Sequence, residues 1–244
     1  MSLSKNNIKL ITSLQQKKYR QRHQLFVAEG VKVVNELLAS SLEVECVFSV
    51  DASFEVSKKC ETILISENEL KKVSTLKSPN KVLGLFKIPK EKEINQGKFM
   101  VALDGVNDPG NLGTIIRLCD WFGITELVCS KNTVDCYNQK VVQSTMGSLT
   151  RVNISYVDLQ DFLSNSKLPV FTADMDGENI YTSSLPEKAV LVMGNEANGI
   201  SPEIAQTVKQ ALTIPRFGDL QQTESLNVAT ATAILLSEFK RGLK

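Results

Sequence analysis

Beyond residue 98, short apolar runs alternate with stretches whose apolar positions recur at helical spacing. Phe99–Leu103, Glu126–Cys129, Val152–Val157, Pro169–Ala173, Ala189–Met193 and Leu212–Pro215 predict short strands. Thr114–Phe122, Tyr137–Ser148, Asp158–Leu163, Pro202–Gln210 and Ser225–Lys240 predict helices among them. Strands alternating with helices predict an α/β fold built on a parallel sheet. Ligands of such sheets bind beyond the carboxyl ends of the strands. The loops after Leu103, Met193 and Pro215 are therefore where chemistry is expected.

The N-terminal part mixes both periods. Val31–Leu38 predicts a helix and Glu67–Val73 a shorter one. Val44–Val50 and Val82–Phe86 predict strands, and Phe26–Ala28 is a brief apolar run. From Pro89 to Lys98 the chain is polar and charged without periodicity, which marks a linker. The expected organisation is a small α+β domain over residues 1–92, followed by a larger domain over 98–244.

Composition narrows the chemistry. The 244 residues are 42% hydrophobic and 23% charged, ordinary for a soluble globular protein. No apolar run reaches the roughly 18 residues that a membrane helix needs, and the first residues hold no signal-peptide core. A cytoplasmic protein without membrane contact is expected. Cys46, Cys60, Cys119, Cys129 and Cys136 are odd in number and form no C-x-x-C pair. Reduced, buried thiols are expected, with neither a metal site nor a disulfide framework. His23 is the only histidine, so a Ser-His-Asp triad, a histidine-rich zinc site or a histidine base must use it or be absent.

The net charge of +1 hides an asymmetry. Residues 1–28 carry Lys5, Lys9, Lys17, Lys18, Arg20 and Arg22 and no acid, which leaves 22 basic against 27 acidic residues elsewhere. A second group, Lys71, Lys72, Lys77, Lys81, Lys87 and Lys90, lies before residue 92. Positive charge gathered at one end suits nucleic acid, with Lys17, Lys18, Arg20 and Arg22 as candidate RNA contacts and His23 beside them. A solvated lysine face would look the same on charge alone.

The first loop, Asp104–Gly113, has turn chemistry from Asn107 to Gly110 and leads into a helix that Asn111 is expected to cap. On that helix Ile115, Leu118, Cys119 and Phe122 share one face, and Arg117 lies opposite. Arg117 either pairs with Asp120 at i, i+3 or projects into a cleft or interface to hold a phosphate or oxyanion. Its glycines, at 105, 110 and 113, miss the dinucleotide fingerprint G-x-G-x-x-G. The second loop, Gly194–Ser201, begins with a glycine that lets a ligand approach the backbone and holds Glu196 among small polar residues. Asn198-Gly199 forms a turn, and Ser201-Pro202 opens the next helix. The third runs from Ile214-Pro215 to Ser225-Leu226-Asn227, where Ser225 and Asn227 could simply cap the last helix. The small residues after them imply close packing, within the chain or at a homodimer seam.

Each loop alone is weak evidence. The ordered combination N-x-G-x-x-x-R, M-G-N-E-x-x-G-I and I-P followed by S-L-N-V-A-x-A resembles the three signature motifs of the SpoU (TrmH-like) family of RNA 2′-O-ribose methyltransferases. The resemblance spans residues 99–240. More loosely, Phe26–Gly30 with Val33, Val34 and Glu36 is similar to the family's small substrate-binding domain.

The resemblance implies a SPOUT-type parallel sheet with a C-terminal trefoil knot, a homodimer, and methyl transfer from S-adenosylmethionine to a ribose 2′-hydroxyl, on rRNA in preference to tRNA. It carries catalytic roles to Asn111, Arg117, Glu196, Ser225 and Asn227. Contacts to the cofactor, largely through the backbone, carry to Thr172, Met193, Gly194, Ile214 and Leu226. Arg117 would clamp the phosphate beside the target ribose, Ser225 and Asn227 would hold ribose or cofactor, and Glu196 would fix loop geometry. Two departures stand out: Arg216–Glu224 is longer than the usual third-motif loop and brings Gln221, Gln222 and Thr223, and Asn80-Lys81 stands where relatives usually have Gln-Gly. An RNA-binding relative without catalysis and a nucleotide-dependent oxidoreductase are the competing readings; cofactor titration separates them.

Overall fold

The computed structural model describes residues 3–54, 56, 60–218 and 225–241. Two compact units are present, one made of Met1–Glu91 with Asp135–Thr150 and one of Lys92–Val134 with Arg151–Lys244.

The first unit begins with α1 (Lys5–Ser13) and α2 (Lys17–His23), then β1 (Leu25–Glu29), α3 (Val31–Ala39), β2 (Val44–Ser49), β3 (Glu61–Leu64), α4 (Glu67–Val73) and β4 (Val82–Lys87). Its sheet has the order β1-β4-β2-β3, with only the β2/β3 pair parallel. Local chemistry marks the ends. Ser4 caps α1, Ser66 and Glu69 form a reciprocal capping box on α4, and Gln24 ends α2 in the left-handed region. Ile11, Leu14, Val27, Phe48, Leu70 and Leu83 make the core on one face of the sheet.

The second unit starts with β5 (Met100–Leu103), α5 (Pro109–Trp121) and β6 (Glu126–Ser130). The chain then leaves it. Residues Asp135–Thr150, with α6 (Gln139–Thr145), pack in the first unit, where α6 lies against β1 and the tilted rings of Tyr137 and Phe26 meet with centroids 4.9 Å apart. This segment had been expected inside the larger domain. Within the first unit Gly147 (φ +96°) lies so close to Glu36 that an added Cβ would sit 2.6 Å from the Glu36 Cβ.

The chain returns as β7 (Asn153–Val157), α7 (Leu159–Ser164), β8 (Val170–Asn179), β9 (Val190–Met193), α8 (Pro202–Thr207), β10 (Gln210–Thr213) and α9 (Val228–Lys240). The six strands form one sheet in the order β10-β8-β9-β5-β6-β7, every pair parallel. Helices on a parallel sheet cover both faces, and accordingly β5, β6 and β9 are buried along their whole length. β8 is twice as long as expected; its far half carries Gly177, where a Cβ would stand 2.5 Å from the Ala211 backbone. Glycine there lets edge strand β10 come close while its register shifts at Ala211/Leu212.

Candidate active site

The three loops meet at the carboxyl ends of β5, β9 and β10. α5 begins earlier than expected: Asp108 is its cap, accepting from the Asn111 N–H at 2.9 Å, and Pro109 is its first residue. Asn111 is therefore not the cap, and its side chain is released for other work. Its Nδ2 donates to Glu196 Oε1 at 2.9 Å, and its Oδ1 accepts from Asn227 Nδ2 at 2.9 Å. One amide thus ties together residues from all three loops. Asn227 also caps α9, its Oδ1 accepting from Ala229 and Thr230. Capping and site-building, posed as alternatives for this residue, coexist.

Two residues that the sequence reading passed over fasten the first loop to the second. Buried Asp104 accepts from the Ser201 N–H at 2.7 Å, and Asn195 Nδ2 donates to the Gly105 carbonyl at 2.6 Å. Ser201 occupies the cap position of α8, but its side chain makes no cap bond. Asn195 and Gly199 exchange backbone hydrogen bonds. That closure explains Gly194: a Cβ there would lie 2.4 Å from the Gly199 carbonyl carbon. The loop's own backbone thus requires glycine here, and the same residue also lines the cleft beside these loops. The signal for Asp104 was available, since an acid at a central strand's carboxyl end invites a backbone partner.

A cleft of about 1220 Å³ opens beside these loops. Met193, Gly194, Glu196, Ile214, Ser225, Leu226 and Asn227 line it, as do Met175 and Phe217. Thr172 does not. It is buried in β8 with its hydroxyl on the Gln210 carbonyl at 3.4 Å, one residue from lining Ala173. Gln221, Gln222 and Thr223 lie outside the described residues.

Asn111 and Arg117 are not part of the cleft wall. α5 buries Leu112, Gly113, Ile115, Ile116 and Cys119, so its inner face is turned from the expected one and Leu118 and Phe122 are only half-buried. Arg117 is exposed, with Trp121 one turn on and 84% exposed. Of the two alternatives for Arg117, the pair with Asp120 gives way to another: Asp120 accepts from Arg151 Nε at 2.9 Å. Cys119 is no nucleophile, because burial, reinforced by the Asp120 charge, pushes its thiol up to about 12. All five cysteines are free. Among the described residues no group of three His, Cys, Asp or Glu could hold a metal ion.

In the first unit Lys17, Lys18, Arg22 and His23 are exposed. Arg20 is not: at 2% exposure it forms an ion pair with Asp135 and donates Nη1 to the Leu14 and Gln15 carbonyls, each at 2.9 Å. Arg20 is a structural residue, which corrects its expected place among RNA contacts. No helix among the described residues is long and apolar enough to cross a membrane.

An all-parallel sheet whose carboxyl-end loops converge on a large, part-apolar cleft defines an α/β domain of the ligand-binding kind. Residues 98–237 match the model of the SpoU rRNA Methylase family, and residues 5–84 that of the MRM3-like substrate binding domain. The chain belongs to the SpoU rRNA Methylase family. It is 30% identical, over 96% of both chains, to a 23S rRNA (guanosine(2553)-2′-O)-methyltransferase, RlmP, of Bacillus subtilis. Among solved structures, one assigned to the TrmH family of RNA methyltransferases from Porphyromonas gingivalis has 39% identity and a TM-score of 0.89, with 98% of each chain covered. An AdoMet-bound rRNA methyltransferase from Sinorhizobium meliloti has 30% identity and a TM-score of 0.86, covering 100% of this chain and 98% of that one.

Proposed function

We propose that the chain transfers a methyl group from S-adenosylmethionine to a ribose 2′-hydroxyl of ribosomal RNA, acting in the cytoplasm as a homodimer. The observation that carries this reading is the Asn227–Asn111–Glu196 hydrogen-bond chain at the cleft mouth, which joins one residue from each signature motif.

The cleft suits the cofactor. Its volume exceeds the roughly 300–1,000 Å³ of a single small-molecule pocket, which leaves space for substrate. Met175, Phe217 and Leu226 line it while 45%, 82% and 48% exposed, an apolar rim that a purine would cover. The outer edge of β10, an edge strand, leaves backbone groups for the polar edge of that base. When bound, the cofactor would supply an electrophilic methyl group.

The residues divide the remaining work. Glu196 and Asn111 hold the loops in register, and each amide of the chain keeps one N–H unspent for ribose or carboxylate. Ser225, exposed on the cleft wall, adds a hydroxyl. Arg117 would clamp a phosphate through its fork of N–H donors and stabilise negative charge growing on the ribose oxygen, not abstract its proton, because a guanidinium is a donor with no acceptor. Since Arg117 lies outside its own chain's cleft wall, we assign it to the cleft of a second copy, with Trp121 at the same surface. The trefoil knot of the C-terminal segment belongs to the same proposal; β9 lying between β8 and β5, with β10 outside, is consistent with it.

Transfer of labelled methyl from S-adenosylmethionine to an unmodified 23S rRNA transcript tests the reading. Arg117→Ala is expected to lower kcat by about 10²–10³-fold, with cofactor affinity within twofold of wild type by calorimetry. Wild-type turnover in the variant refutes the assignment of Arg117.

A further inference from the structure

A second cavity, of about 390 Å³, lies wholly within the first unit. Apolar Val27 and Leu76 line it together with Gln15, Glu29, Gln139 and Gln143. Glu29 is 5% exposed, and its oxygens are engaged: Oε1 accepts from the Thr75 N–H at 3.0 Å and hydroxyl at 2.8 Å, and Oε2 from the Ser74 hydroxyl. It anchors the wall. Gln139 differs, because its buried Nε2 has no hydrogen-bond partner.

Leaving a buried donor unsatisfied is costly in a folded protein, so an uncommitted amide in a cavity wall calls for an acceptor from outside the chain. Gln143 stands one turn along α6 on the same face and also lines the cavity. Two amides beside an apolar wall match the chemistry by which proteins read a base edge, and unpaired RNA bases are bound splayed out between side chains. The volume is that of a site for one small group. The surroundings supply phosphate contacts: Lys140 is exposed at the rim, and exposed Lys17 and Lys18 follow closely after Gln15.

We propose that this cavity takes one unpaired nucleobase of the RNA substrate, with Gln139 and Gln143 as specificity-determining residues. The proposal rests on RNA being the substrate. Its test uses the full-length protein, an unmodified 23S rRNA transcript and two variants. Gln139→Leu/Gln143→Leu removes both amides, and Gln15→Trp fills the cavity from an exposed position that the fold does not need. Each is expected to raise KM for the transcript about tenfold with kcat kept. The dependence of binding on salt should not change, because no phosphate contact is lost. Thermal melts and cofactor affinity should match wild type, at least for Gln15→Trp. A KM within twofold of wild type in Gln15→Trp, or a KM increase accompanied by a flatter salt dependence, overturns the base pocket alone, since the wild type still methylates. A wild type that binds cofactor but methylates no RNA overturns the functional reading and this proposal with it.

Discussion

Replacing Arg20 by Ala should unfold the first unit far more readily without touching the chemistry. The guanidinium donates Nε to Asp135 at 2.9 Å and Nη1 to two carbonyls, and Nη2 completes the ion pair; side-chain exposure is 3% for Arg20 and 14% for Asp135. Truncation strands a nearly buried carboxylate and two carbonyl oxygens together. Breaking one side of such a pair costs about 3–5 kcal/mol, because the remaining charge keeps its desolvation penalty. With a urea slope of about 2–3 kcal/mol per molar, the midpoint should fall by about 1–2.5 M. Arg20→Lys should recover only part of this, since a point charge cannot serve two carbonyls and a carboxylate in one plane. Circular dichroism across a urea series, with an Asp135→Asn partner to close a double-mutant cycle, gives the coupling. A midpoint equivalent to less than about 0.5 kcal/mol of loss, the range of ordinary surface changes, would refute the buried-pair reasoning. So would a specific loss of RNA affinity at unchanged stability.

Three further outcomes follow from the structure. Lys81 sits at φ +51°, where a side chain costs about 1–2 kcal/mol, and its 3.6 Å pair with Asp51 is exposed and worth little; Lys81→Gly should raise Tm by about 1–3 °C, and a fall would contradict the strain argument. Neutralising Lys17, Lys18 and Arg22 together, sparing Arg20, should weaken RNA binding and reduce its log–log salt slope by about 2–3; an unchanged slope would make them a solvated face. Gly194→Ala should lower cofactor affinity by about tenfold or more, because the Gly199 backbone must move to admit the methyl group; calorimetry at wild-type affinity would show the loop to be compliant.

Much of the second unit was legible because its central strands β5, β6 and β9 are buried along their whole length and read as continuous apolar runs between helical ones. The three loops were legible as a set through their order, whereas their hydrogen bonds were not. Asn111 looked like a cap because the helical periodicity becomes visible only after it, and Asp108-Pro109 starts the helix where no apolar residue yet marks it. α1 and α2 escaped notice: α2 reads KKYRQRH and buries only Arg20, the residue that polarity assigns to solvent. The four-residue β3 carries too short a pattern to register. Nothing local in Asp135–Thr150 tells which unit it joins. That is settled by pairings such as Arg20–Asp135, which lie 115 positions apart along the chain. The Asn80-Lys81 departure now has a physical meaning, since the second position needs a left-handed backbone that glycine adopts without strain.

Asp135–Thr150 also sets a clock on biosynthesis. The first unit's sheet is complete by Lys87, yet α6, with buried Val141 and Val142, is translated only after two strands and a helix of the other unit. At roughly 5–20 residues per second, the surface of β1 and the side chain of Arg20 wait several seconds for their partners. During that interval a chaperone or a neighbouring nascent chain can reach them, so slower elongation through this stretch should raise the yield of aggregated product.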